Sequence, residues 1–169
     1  MNEAPRDMTI DVSVTEPRWA EIAAHEELIA RAVRQTLAEI DVKLAAGAEV
    51  SILLCNDAFI SGLNKQYRGR DTATNVLSFP SDSGPDEAAL LGDIVIAFET
   101  TAHEAQTLNK TFEDHFTHLV IHGFLHLLGY DHEDDEEAEE MEAVERDVLA
   151  SLGIEDPYRE SCVAGAEAK

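Results

Sequence analysis

The chain has 169 residues, 44% of them hydrophobic, enough for one compact domain with a substantial core. Its 35 acidic residues against 12 lysines and arginines give a formal net charge of −23, which argues against a broad basic surface that would hold nucleic acid in bulk. The N-terminal MNEAPRDMTI lacks the regions of a signal peptide, and the longest uncharged stretch, Phe116 to Tyr130, is too short and too rich in histidine to cross a membrane. A cytoplasmic protein is expected.

In chain order, Thr9 to Val14 alternates, with Ile10, Val12 and Val14 on one face, and predicts a half-buried strand. Ile22, Ile29, Val33, Leu37 and Ile40 recur near helical spacing and predict a long amphipathic helix from Trp19 to about Ile40. Val50 to Cys55 is a short apolar run, read as a buried strand. Asn56 or Asp57 can cap the next helix, which turns Phe59, Ile60 and Leu63 inward and stops at Gly69, with Arg68 at that stop.

Val76 to Phe79 predicts a third strand, and Pro80 at its end favours a sheet edge. After a polar loop from Asp82 to Ala88, Ile94 to Phe98 predicts a fourth strand, and helix follows from about Glu99 to Leu108. Two further helices are expected, from about Phe112 to Leu128 and from about Asp135 to Leu152. The last carries an apolar stripe of Ala138, Met141, Val144, Val148 and Leu152, with acids crowding its first turns where the helix dipole favours them. Cys55 and Cys162 are far apart and read as ordinary small side chains in a reducing compartment. With no repeat and no low-complexity linker, residues 1–169 read as one α+β domain. A small mixed sheet of about four strands packs with about five helices, and short tails are expected at 1–8 and 159–169.

Five of the seven histidines, His115, His118, His122, His126 and His132, crowd into one stretch. Taken singly, His115 and His118 read as hydrogen-bonded core residues. His122 and His126 stack one helical turn apart, Gly129 lets the chain leave the helix in a left-handed turn, and Tyr130-Asp131 bring His132 back as a third vertex. Three neutral imidazoles with an open fourth position form a catalytic zinc site, and no cysteine lies nearby to close a structural one. The spacing HxxxHxxGxxH is that of the metzincin proteases, except that Gly123 stands where those enzymes carry the glutamate that activates water. Asp131 and Glu133, flanking the third histidine, are substitute bases or partners that orient an imidazole. Lys65, Arg68 and Arg70 form a small basic group without an acid between them, a local positive mouth on an acidic body.

YRGRD at Tyr67 to Asp71, TNVLSFP at Thr74 to Pro80, LLGDIVI at Leu90 to Ile96 and HGFLHLLGYDH at His122 to His132, in this order, resemble the YbeY family of bacterial endoribonucleases. The likeness runs from Ile10 to Tyr158. It implies a zinc-dependent, single-strand-specific endoribonuclease acting in 3′-end maturation of small-subunit ribosomal RNA and in ribosome quality control. It further implies one zinc ion, or another divalent metal, held by His122, His126 and His132, with Arg68 and His122 as catalytic residues. Arg68 suits that role because its planar fork matches phosphate; Lys65 and Arg70 stay closer to solvated charges. Ser78 and Asn75 either touch substrate or serve the strand's own hydrogen bonding. Expected partners are single-stranded ribosomal RNA and the small ribosomal subunit with its proteins, with neither DNA nor membrane. Two rivals are a noncatalytic ribosome-assembly factor with a structural metal, and a zinc peptidase or other hydrolase, which Gly123 disfavours.

Overall fold

Strands apolar on both faces belong in the middle of a sheet, where each face is covered. In the computed structural model, which describes residues 8–157 except 23, 24 and 88, the two such strands are β2 (Glu49–Cys55) and β4 (Leu90–Ala97). β1 (Thr9–Val14) flanks β2, β3 (Val76–Pro80) flanks β4, and the order across the sheet is β1-β2-β4-β3. β1, β2 and β4 run parallel, whereas β3 is antiparallel to β4, with Val76 opposite Ile96 and Pro80 opposite Gly92. The four-stranded mixed sheet agrees with expectation, and so does the edge position of the proline-ended strand.

The described helices are α1 (His25–Glu39), α2 (Asp57–Arg68), α3 (Phe98–Thr107), α4 (Phe112–Leu127) and α5 (Asp135–Ser151). α4 is apolar around most of its circumference and is buried accordingly: α1, α3 and α5 pack on it, and it lies across β3 and β4. This layer builds the main core, with Trp19, Ile29, Ile52, Ile94, Phe116 and Phe124 at its centre. α2 covers part of the opposite sheet face, where Ile60 packs with Cys55, Leu77 and Val95. Phe59, expected inward, is 47% exposed, because Ile60 takes the sheet-facing position and one residue of helical turn carries Phe59 off that stripe. Side-chain caps start three helices: Asn56, Thr111 and Asp134 accept from the N–H groups of Phe59, Asp114 and Glu137 at 2.9, 3.0 and 2.8 Å. Gly69 ends α2 as expected, with φ 73°.

Three boundaries differ from the sequence pattern. The helix expected from Trp19 begins only at His25; before it, Pro17–Glu21 forms a 3-10 turn that ends at extended Ile22. That turn drops the Trp19 indole fully into the core, where Nε1 donates to the Cys55 carbonyl at 2.9 Å beside the rings of Phe98, Phe112 and Phe116. β4 starts at Leu90 rather than Ile94, and Phe98 opens α3 instead of closing the strand. Gly92 and Asp93 interrupt the apolar run that marks the strand in sequence. Glycine is required at 92: φ is 146°, and a Cβ there would lie 2.3 Å from the Phe79 carbonyl oxygen. Of the tails expected at 1–8 and 159–169 only Met8 is described, and it packs against the core; Cys162 also lies outside the described residues.

Candidate functional site

A cleft of about 440 Å³ opens where β3, the last turns of α4 and the end of α2 meet, and it gathers Arg68, His122, His126, Asp131 and His132. α4 carries His122 and His126 one turn apart; Gly129, at φ 104°, turns the chain out of the helix, and the segment that follows returns His132 to the same spot. One nitrogen from each imidazole lies within 4.8 Å of the others. The ring centroids of His132 stand 5.6 Å from His122 and 4.9 Å from His126.

Hydrogen bonds at the backs of two rings fix which nitrogens face inward. His122 Nδ1 donates to Glu145 Oε2 at 2.6 Å, and His126 Nδ1 donates to the Tyr130 carbonyl at 3.0 Å. Both partners accept only, so in the neutral rings both protons sit on Nδ1 and both Nε2 lone pairs are bare. Those two bare nitrogens face each other 3.2 Å apart. Lone pairs that close repel unless a proton or a metal cation lies between them, and tetrahedral zinc ligands at about 2.0–2.1 Å stand about 3.3–3.4 Å from one another. The donor set therefore fits a divalent ion with room for a further ligand from outside the protein.

Glu145 on α5, fully buried, accepts from both His118 Nε2 at 3.1 Å and His122 Nδ1 at 2.6 Å. It falls on the inward face of α5 between Met141 and Val148, so an acid at a core position was the signal available in the sequence; Asp131 and Glu133, the acids beside His132, do not fill this role. Glu104 plays a parallel part, accepting from His115 Nε2 at 2.8 Å and Asn75 Nδ2 at 2.9 Å, which ties α3 to α4 and to the start of β3. His115 and His118 are thus hydrogen-bonded core residues, as expected of each alone.

These contacts shift the titration of the cluster. Burial, reinforced by the neighbouring His122 and His132, pushes His126 down to about 4, and burial also lowers His118. Burial pushes Glu145 up, but the hydrogen bonds from His118 and His122 outweigh it and hold the carboxyl well below the usual range. In the unfolded chain a histidine takes a proton near ~6.5, whereas folded His126 stays neutral until about 4. The unfolded state thus binds more protons in that window, and stability falls as pH drops through it; the low-lying Glu145 adds a further loss below ~4.3. Thermal melts of metal-free protein should show a melting temperature that declines from about pH 7 to about pH 5. A flat or rising profile would contradict the buried neutral histidines.

Gly123 faces away from the cleft. A Cβ at that position would meet Ile94 Cγ2 at 2.9 Å and Val76 Cγ2 at 3.4 Å, so the missing side chain is what lets α4 lie close on β3 and β4. No carboxylate added there reaches the site without forcing helix and sheet apart. Gly123→Ala should lower the denaturant midpoint, because overpacking costs about 1–3 kcal/mol against about 1 kcal/mol of helix propensity gained. A raised midpoint would mean that the contact relaxes freely.

The other predicted residues divide. Arg68 is exposed in the cleft wall and makes no ion pair among the described residues. Lys65 and Arg70 do not line the cleft; Lys65 is exposed, 4.0 Å from Asp71. Ser78 and Asn75 both line it, but Asn75 is committed to Glu104 and to the Val76 N–H at 2.6 Å. Asp131 lines the cleft while accepting from the His132 N–H at 2.8 Å, and Glu133 is exposed outside it. Neither acid orients an imidazole ring in the described contacts.

Fold and site together define an α+β protein with an open histidine cluster suited to a divalent metal and, in the same cleft, an arginine with no ion pair among the described residues. The family model described as Endoribonuclease YbeY matches residues 13–153. An endoribonuclease YbeY of Methylocella silvestris is 52% identical over 151 residues, 89% of this chain and 86% of that one. Another, from Azorhizobium caulinodans, is 48% identical over 153 residues, 89% and 96% of the two chains. The solution structure of a Thermotoga maritima protein aligns over 85% of this chain and 91% of its own, with TM-score 0.54 and 28% identity. The chain belongs to the YbeY family of endoribonucleases. Family membership makes RNA the substrate class and sets the peptidase alternative aside. No helix among the described residues is long and apolar enough to cross a membrane.

Proposed function

We propose that the protein is a single-strand-specific, metal-dependent endoribonuclease that trims the 3′ end of small-subunit ribosomal RNA and serves ribosome quality control in the cytoplasm, with residues 1–169 acting as one domain. In this reading His122, His126 and His132 hold one zinc ion, and Arg68 and His122 belong to the catalytic centre. The observation that carries it is the meeting, in one cleft, of a guanidinium with no ion pair among the described residues and two imidazoles whose Nε2 atoms are turned toward each other by fixed partners behind the rings. The ribosomal substrate rests on family membership and on the TNVLSFP and HGFLHLLGYDH motifs.

A zinc ion held by the three histidines supplies Lewis acidity toward a phosphoryl oxygen. Arg68 pairs its planar fork with non-bridging phosphate oxygens, placing the scissile group against the histidine cluster and stabilising the charge that develops there. Glu145 and the Tyr130 carbonyl hold the His122 and His126 rings turned so that each Nε2 faces the cleft. The RNA 2′-hydroxyl is available as a nucleophile, so the absence of a carboxylate at position 123 does not bar phosphodiester cleavage.

A chain of net charge −23 repels free RNA. Accuracy is therefore supplied by the small subunit and its proteins, which present an unpaired end of the RNA to the cleft. The test compares cleavage of naked precursor RNA with cleavage of the same RNA in small subunits, using His126→Ala as control. Faster and more accurate cutting in the particle is expected. Equal rate and accuracy on naked RNA would refute delegated specificity. Equal cleavage by His126→Ala and wild type would refute the metal-dependent nuclease, and no turnover by metal-loaded wild type would leave a noncatalytic assembly factor.

A further inference from the structure

The open edge of β3 faces the cleft, and its hydrogen-bonding groups follow from the register. Asn75 accepts a backbone bond from Ala97, Ser81 donates one to Leu91, and the intervening pairs run from Val76 opposite Ile96 to Pro80 opposite Gly92. In an antiparallel ladder, pairs that exchange bonds alternate with pairs that do not. Leu77 and Phe79 therefore bond inward to β4, while Val76, Ser78 and Pro80 aim their backbone groups away from the sheet. The Val76 N–H is taken by the Asn75 side chain at 2.6 Å, and proline has no N–H. What remains along the edge is the Val76 carbonyl, the Ser78 N–H and carbonyl, and the Pro80 carbonyl, none with a partner among the described residues. All three residues line the cleft that holds Arg68 and the histidines.

An acceptor beside a donor is what the Watson–Crick edge of a nucleobase complements, because each RNA base carries a donor next to an acceptor there. We propose that the outward edge of β3 is a base-binding subsite, with the Val76 carbonyl and the Ser78 N–H as its principal contacts, and that selection for single-stranded RNA resides in this edge. The inference rests on the endoribonuclease reading above. In a duplex those base edges are already consumed by pairing, so only an unpaired base has anything to offer the strand. The contact is indifferent to sequence, since every base presents such a pair. It also meets the charge difficulty: backbone dipoles hold the substrate without a basic surface, which suits a protein of net charge −23. A peptide strand can pair with the same kind of edge, but the adjacent Arg68 and the family's RNA substrate favour a nucleic acid.

The test uses full-length, metal-loaded protein and single-stranded RNA in which successive bases near the cut carry a methyl group on the Watson–Crick ring nitrogen. For wild type, methylation at the bound position should raise KM by about tenfold, the scale of one lost hydrogen bond at about 1.4 kcal/mol, with a much smaller change in kcat. Ser78→Pro removes the outward N–H without removing a ladder bond, and proline is tolerated where the N–H of an edge strand points to solvent. This variant should show the same rise in KM on unmodified RNA and no further rise on methylated RNA, with metal content and melting temperature as folding controls. Should Ser78→Pro misfold, the methylated substrates still decide the matter with wild type alone. A KM insensitive to methylation would overturn the proposal. So would inhibition by an extended peptide combined with that insensitivity, which would assign the edge to a protein strand. If His126→Ala cuts unmodified RNA as well as wild type does, the nuclease reading fails and the subsite falls with it; a normal His126 requirement with methylation-insensitive KM removes the subsite alone.

Discussion

Arg68→Ala should reduce cleavage of single-stranded RNA by about 10²-fold or more, the scale for losing one preorganised charge stabiliser, while the fold is left intact. Arg68 ends α2, is exposed, and has no ion pair among the described residues, so its removal takes nothing from the core. Metal content and melting temperature should match wild type. Arg68→Lys should recover little, because an ammonium keeps the charge but loses the two-pronged fit to phosphate. Wild-type turnover in Arg68→Ala would reduce this residue to a solvated helix-end arginine. A large fall in melting temperature would instead show that it supports the cleft wall.

Replacement of Glu145 should have the largest effect on the folded state. Glu145→Ala leaves the inward N–H groups of His118 and His122 without their acceptor in a fully buried site. Breaking such a buried network by removing one partner costs about 3–5 kcal/mol. Glu145→Gln keeps the shape but offers one acceptor where two are used, so one ring loses its orientation. In that variant metal affinity should drop by about 10- to 100-fold with most of the stability retained. Unaltered metal affinity in Glu145→Gln would show that His122 is held by packing rather than by the carboxylate.

Much of this architecture was legible because it is written in local chemistry. The inward Ile10 and Val12 of the first strand, the cap at Asn56, the stop at Gly69 and the proline that ends the edge strand are each readable over a few residues and are found in the structure, whereas Val14, expected on the same face as Ile10 and Val12, is 41% exposed at the strand's end. The histidine cluster was legible for the same reason, since helical spacing and one glycine turn bring it together. What escaped depends on distant partners. The Trp19 turn exists because an indole must reach the Cys55 carbonyl across the core. Gly123 is glycine because of Ile94 and Val76, strands away in sequence. Glu145 matters through His118 and His122 on another helix, and spacing along α5 alone shows only an acid on an apolar stripe.

The central claim is that one divalent ion among His122, His126 and His132 is required for RNA cleavage, and a zinc titration of metal-free protein tests it most directly. Bound metal and cleavage of single-stranded RNA are measured together in wild type and His126→Ala. The account predicts that wild-type activity rises from background and saturates at one zinc per chain, while His126→Ala neither binds zinc tightly nor cuts. Full activity in metal-free wild type, or zinc-stimulated cutting by His126→Ala equal to that of wild type, would contradict it.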